Sequence, residues 1–304
     1  MKDRSDQFKG IVYSIVAALM WGVLAIALKI SSAGLSSMSI VWVRFAIAFV
    51  IIFIFHSIKR PQAFTIFRKP PRKLIIASIC LGINYYGFMK GLEYTSPSIA
   101  QVFIQFGPVF FAVAGIIIFK ETINWKHISG FLIVIIGFGL FYREHLMTVS
   151  SQNHTQFTLG IFLIIVAALG WAIYGVYQKQ LSESYSTNQL NLFIYGFCSL
   201  LFAPFVQYGS FLNLSFGAWM LVLFLGLNTV IAYGAIALAF KHLEVNKVSV
   251  IITLNPIITF LMMYIFNVMQ VQWIQPEHFS VMSIIGATMA LGGAVFVIIF
   301  TRKK

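Results

Sequence analysis

The sequence predicts an all-α membrane protein of ten transmembrane helices arranged as two inverted five-helix repeats, with the N- and C-termini cytoplasmic. The expectation rests on three observations. Of the 304 residues 60% are hydrophobic and only 10% charged, against about 25% charged in a soluble domain, so too little charge is present to cover a water-facing surface. The apolar residues gather into ten runs of roughly membrane-crossing length. The Lys and Arg residues between those runs alternate in abundance from one connection to the next.

Crossing a hydrocarbon core of ~30 Å takes about 20 helical residues. The runs at 11–30, 37–57, 73–92, 96–119, 127–142, 159–181, 189–209, 217–241, 246–267 and 281–300 meet that standard, the fifth being the shortest. Lipid offers no partner to a peptide group, so each run must close its own hydrogen bonds as helix, and the alternating pattern of a barrel strand is absent. The first run follows a basic start (Lys2, Arg4, Lys9) and could be taken for a signal peptide. It is too long for one, contains Trp21 and lacks a small-residue cleavage site, so it reads as the first span. Cys80 and Cys198 lie inside apolar runs without metal-ligand spacing, which argues for packing and against a disulfide or zinc scaffold.

The chain holds 21 Lys+Arg against 8 Asp+Glu, a net charge of +13. Seventeen of the 21 fall on one side of the ten spans: the N-terminus, the cluster Lys59 to Lys73, Lys120, Lys126, Lys179, Lys241, Lys247 and the tail Arg302 to Lys304. Lys29, Lys90 and Arg143 fall on the other side, and Arg44 lies within the second span. Basic residues mark the cytoplasmic face, which places both termini there. They also meet anionic headgroups, so the excess does not require nucleic acid as a partner.

Ile15 to Trp21 reads IVAALMW and Ile165 to Trp171 reads IVAALGW, an offset of 150 that also aligns Gly10 with Gly160 and Lys29 with Lys179. An offset of 148 aligns Tyr85 with Tyr233, Gln101 with Ser249, Gln105 with Thr253 and Pro108 with Pro256. The units are expected at 1–142 and 159–304, joined by a linker at 143–158. Five is odd, so the two units enter the membrane from opposite faces. Inverted repeats of this kind are typical of secondary transporters, with the substrate held near the midplane where the halves meet.

On these residues the chain resembles the EamA family of the drug/metabolite transporter superfamily. The first half carries Ala18-Leu19-Met20-Trp21-Gly22 with Lys29, the step Val43-Arg44-Phe45, and Pro108 thirteen residues before Glu121. The second carries Ala168-Leu169-Gly170-Trp171-Ala172 with Tyr174 and Lys179, and Pro256. It departs from the pattern where an acidic residue would follow Pro256: Met269 stands there, and 272–279 reads as an insertion. The resemblance implies ten helices, both termini inside, and transport, usually efflux, of small metabolites such as amino acids or amines.

The polar residues within spans are the candidates for the pathway. Ser98, Gln101, Gln105, Pro108, Ala112 and Gly115 share one face of the fourth helix, and Ser249, Thr253 and Pro256 occupy the same frame of the ninth. Of these, Gln101, Gln105 and Thr253 compose a substrate-binding set with Asn84, Tyr85, Tyr233 and Asn255, the competing reading being ordinary interhelical hydrogen bonding. Trp21, Trp171 and Tyr174 lie well inside their spans, where they would wall a cavity or pack the seam between halves. Pro108 and Pro256 each remove a backbone donor and serve as hinge or gating positions. Lys29 is expected to draw a carboxylate to the outer mouth. Arg44 is expected to pair with a carbonyl or carboxylate elsewhere or to face a hydrated cavity.

All eight acids sit in tails, loops or helix ends. Facilitated transport or exchange is therefore expected, or coupling through an end residue such as Glu93. No cofactor and no metal site is expected. The partners are a small neutral or zwitterionic substrate with an apolar part and the lipid bilayer. Gly130, Gly137, Gly139, Gly286, Gly292 and Gly293 read as packing sites, with a homodimer the lesser reading. An organophosphate or nucleotide-sugar exchanger would need a cation at the cavity centre. A membrane-embedded enzyme would need an intramembrane cluster of His, Asp, Glu or Cys, which the sequence lacks, and a receptor would leave the duplication unexplained.

Overall fold

The structure, a computed structural model, describes residues 4–119, 125–148, 153–243, 248, 251–277 and 280–300, and among them the backbone is helix and turn with no strand. The first half contains α1 (Arg4–Ser31), α2 (Ser37–Lys59), α3 (Arg72–Tyr94), α4 (Pro97–Phe103), α5 (Phe106–Phe119) and α6 (Trp125–Thr148). The second contains α7 (His154–Leu181), α8 (Thr187–Phe202), the single turn α9 (Gly209–Leu212), α10 (Phe216–His242), α11 (Asn255–Val268) and α12 (Val281–Phe300). The stretches Gln7–Ser31, Ser37–Lys59, Arg72–Tyr94, His154–Leu181 and Phe216–His242 are each long and apolar enough to cross a membrane, and shorter apolar helices accompany them. Large apolar side chains such as Ile54, Ile58, Leu200, Leu261 and Ile284 point outward. A surface of that kind fits lipid and not water.

Local starts follow the duplication. The Ser36 hydroxyl accepts from the Ser39 amide at 3.3 Å and opens α2, and the Ser186 hydroxyl accepts from the Gln189 amide at 3.3 Å and opens α8. Each satisfies an amide that the first helical turn leaves unpaired. These two caps stand 150 residues apart, in register with the tryptophan repeat.

The fourth span departs from expectation. The run 96–119 reads as one helix, yet the regular ladder breaks at Ile104 and Gln105, where the Gln105 amide turns back to the Val102 carbonyl at 3.1 Å and the Gly107 amide to Ile104 at 2.9 Å. The corresponding run breaks at Thr253 and Leu254, with the Leu254 amide on Ile251 at 3.2 Å and the Ile257 amide on Leu254 at 3.1 Å. Pro108 and Pro256 do not kink a continuous helix. Each lies in the first turn of the helix that begins after a break, where a missing N–H costs little.

Packing pairs the halves reciprocally: α3 runs along α7 as α1 runs along α10, while α2 packs on α8 and α6 on α12. Glycine lets these backbones approach. A Cβ on Gly91 of α3 would lie 2.6 Å from the Gly160 carbonyl of α7, and one on Gly286 of α12 would lie 2.7 Å from the Phe141 amide of α6. A Cβ on Gly10, the repeat counterpart of Gly160, would lie 2.6 Å from the Cβ and 3.2 Å from the amide nitrogen of Leu243, just beyond α10. Gly139 and Gly292, by contrast, face open space.

Candidate functional site

A helix broken inside lipid must re-satisfy the backbone groups that the break frees. At the first break the Gln105 amide has moved to Val102, and the Gln105 side chain covers the carbonyl left behind, its Nε2 lying 3.2 Å from the Gln101 oxygen. The same Nε2 donates to Asn255 Oδ1 at 2.7 Å. Asn255 opens α11 directly after the second break. One side-chain hydrogen bond thus joins the two interrupted elements, and both are tied to α1: Gln101 Nε2 donates to the Trp21 carbonyl and the Thr259 hydroxyl to the Gly22 carbonyl, each at 2.6 Å.

Around this junction lies a cavity of about 600 Å³ of empty space, its open part included. Ten of the residues expected at the pathway line it. Trp21, Arg44, Asn84, Tyr85, Gln101, Gln105 and Pro108 come from the first half, and Trp171, Tyr233 and Asn255 from the second. Among the described residues, Leu24, Phe88, Ile104 and Ile252 also line the cavity. The two repeat tryptophans meet edge to face, 6.1 Å between ring centroids, and Trp21 also meets Tyr233 at 5.5 Å. Asn84 is oriented by donating to the Ala167 carbonyl at 2.9 Å, while Tyr233 donates to its Oδ1 at 3.5 Å.

Among the described residues, Arg44 is the charged group of the wall. Only 3% exposed, it donates from Nε to Thr229 Oγ1 at 3.2 Å and stacks its guanidinium 4.2 Å above the Tyr85 ring. The Thr229 hydroxyl donates onward to the Leu225 carbonyl at 3.0 Å and accepts from the Tyr85 hydroxyl at 3.4 Å. Among the described residues no carboxylate lines the cavity. Sequence reasoning did not single out Thr229.

The other four candidates stand elsewhere. Tyr174 is fully buried behind Tyr233, edge to face at 5.8 Å, and its hydroxyl has no hydrogen-bond partner among the described residues. Thr253 is buried and borders a separate apolar groove with Phe141, Leu261 and Tyr264. Pro256 is buried at the start of α11. Lys29 is not held open for a substrate: its ammonium donates to the carbonyls of Leu92, Glu93 and Thr95 at 2.9, 3.2 and 2.7 Å, at the end of α3. A cation there also suits the negative end of the helix dipole.

Near Lys29 two acids occupy one end of the bundle. Glu93 pairs with Lys90 at 2.5 Å and accepts from the Ser37 hydroxyl. Glu277 belongs to the segment that reads as an insertion. It accepts from the Ser98 amide at 3.2 Å, and its own backbone is clasped by Asn267, whose side chain donates to the Glu277 carbonyl at 2.5 Å. Burial pushes the Glu277 carboxyl above the usual carboxylate range, with the bonds from Ser98 and Ser96 and the charge of Lys29 pulling the other way. An acidic residue therefore does reach this end of the second half, eight residues beyond Met269.

A multi-pass membrane protein with two interrupted helices meeting at a central polar and aromatic cavity has the form of a small-molecule carrier. The family model of the EamA-like transporter family matches residues 8–143 and 158–299. This chain belongs to that family. It is 31% identical to an uncharacterized transporter of Haemophilus influenzae over 94% of this chain and 93% of that one. It is 30% identical to the uncharacterized inner membrane transporter YhbE of Escherichia coli, over 94% and 90% of the two chains. A solved crystal structure superposes with a TM-score of 0.66 at 16% identity, covering 99% of this chain and 100% of the other, a likeness of fold alone.

Proposed function

We propose that the protein is a secondary transporter that exports a small metabolite, of the amino acid or amine type, by alternating access between two inverted five-helix repeats. Ten spans carry both termini in the cytoplasm of a bacterial cell, and the central cavity is the substrate site. The observation that carries this reading is the Gln105–Asn255 hydrogen bond of 2.7 Å. It couples the interrupted elements of the two halves at the cavity wall, where a rocking motion has to make and break contacts. The reciprocal packing of α3 on α7 and α1 on α10 supports a two-fold relation in the membrane plane. The inner membrane transporter of Escherichia coli supports the location. With the cavity free of described carboxylates, exchange or facilitated movement is the expected mode, and Glu93 and Glu277 are the acids placed to couple protons from one end.

The test is counterflow in proteoliposomes across amino acids, amines, nucleosides and sugar phosphates, repeated with Gln105→Ala. Flux in the parent protein that falls at least tenfold in the folded variant supports the site. Undiminished flux in Gln105→Ala moves the pathway elsewhere.

A further inference from the structure

Arg44 is a buried charge at the cavity wall. A guanidinium cannot lose its charge in a protein, and a buried charge without a counter-ion is costly. Here the residue is 3% exposed and borders the cavity, with Nε committed to Thr229 and one face of the guanidinium to Tyr85. Its terminal nitrogens make no hydrogen bond among the described residues, and no described carboxylate lines the wall. Lys29, the other cation expected at the pathway, gives its donors to three carbonyls.

Resting on the reading of this cavity as the substrate site, we infer that the substrate carries a carboxylate, which docks on Arg44 and supplies the counter-ion that no described residue of the wall provides. The two terminal nitrogens match a carboxylate in the planar fork that such pairs adopt. One fixed positive charge answers one negative charge, so a phosphate dianion would leave a charge unpaired in a low-dielectric wall. The body of the molecule lies against Trp21, Trp171 and Tyr233, whose edge-to-face rings present apolar surface. Gln105 and Asn255 are already bonded to each other and stand as the junction that a bound carboxylate would perturb. A simple amine, which brings a second cation beside Arg44, is excluded. This narrows the amino acid or amine class to its acid-bearing members.

The test uses the full chain in proteoliposomes and matched probes: phenylalanine, phenethylamine, 3-phenylpropanoate and phenyl phosphate, with leucine, isopentylamine and 4-methylpentanoate as the aliphatic series. Exchange is expected for members with a carboxylate and not for the amines, and Arg44→Gln is expected to raise the half-saturating concentration at least tenfold. Arg44→Lys, which restores the charge without the fork, recovers part of the loss and shows that the site still folds. Flux of either amine at the rate of its acid overturns the inference, as does Arg44→Gln with parental flux, and a preference for phenyl phosphate overturns the choice of carboxylate. A second measurement is independent of the panel. Tryptophan fluorescence of the detergent-purified protein should be quenched by iodide in preference to caesium, and Arg44→Gln should lower that preference at least twofold, since tryptophans away from the cavity contribute equally to both proteins. An unchanged preference removes the anion seat. Absence of any flux with the iodide preference intact would instead overturn the transport reading and leave the seat standing.

Discussion

At the scale of single residues, the site is built from side chains that hold one another in place. Tyr85 shows how. Its ring lies 4.2 Å beneath Arg44, and its hydroxyl reaches Thr229 at only 3.4 Å. The ring contributes about 0.5–2 kcal/mol as a desolvated cation–π partner, while a long neutral hydrogen bond contributes less. Tyr85→Phe should therefore keep flux within about twofold of the parent, and Tyr85→Leu should lose roughly fivefold or more, the free-energy range converting to about 2- to 30-fold. Counterflow rates at matched protein levels decide it, and equal losses in the two variants would shift the role to the hydroxyl. Arg44, Gln101, Gln105 and Asn255 were legible because a polar side chain inside an apolar run has to be paid for by a partner or a cavity. Thr229 was not, because a threonine in such a run satisfies itself on the carbonyl one turn back, as it does here on Leu225.

At the scale of elements, hydropathy located the helices and missed their interruptions. A window over 96–119 averages apolar content and is blind to which carbonyl each amide finds, so the break at Ile104 and Gln105 leaves no trace in it. The prolines hinted at the region but misplaced the bend, since Pro108 and Pro256 open new helices instead of bending old ones. Glycine spacing, in turn, does not say which glycine touches a neighbour. Gly160→Val should place methyl groups against Gly91 and Thr95 and destabilise the fold by about 1–3 kcal/mol. Gly139→Ala, with nothing within 4 Å of the added carbon, should change stability by less than about 0.5 kcal/mol. Thermal unfolding in detergent compares them, and equal shifts would mean that α3 and α7 separate before the measured transition.

The segment beyond α11 adds a pH dependence. Because the Glu277 carboxyl is raised by burial, the neutral form is favoured in place, and its contribution is full at low pH and lost as pH rises through the raised value. Lys29 faces the same carboxyl and opposes the shift without cancelling it. Glu277→Gln keeps an oxygen for the Ser98 amide and cannot ionise. It should hold this end closed at all pH values, flattening a rise in flux that the parent shows from the ordinary carboxylate range upward. A parent whose flux is independent of pH, or a variant that keeps the rise, would remove Glu277 from the cause.

At the scale of the whole molecule, duplication and charge set the arrangement together. Self-pairing of α2 with α8 and of α6 with α12, and the exchange of partners between α1–α10 and α3–α7, are what a two-fold axis in the membrane plane produces. In the proposed topology such an axis turns one half over, so that each half would present to the cytoplasm the face that the other presents outside. Only the loop charges would then distinguish the two directions, and seventeen of 21 basic residues fall on one side of the ten proposed spans. Holding that face inside is favoured both during insertion and by the anionic leaflet afterwards. Two exposed positions make this measurable: Gln62, in the basic connection after α2, and Asn213, between α9 and α10. In a background with Cys80→Ser and Cys198→Ala, a membrane-impermeant thiol reagent applied to intact cells should label Asn213→Cys and leave Gln62→Cys untouched until the membrane is permeabilised. The opposite pattern would invert the assignment, and labelling of both from outside would place an odd number of crossings between them in error.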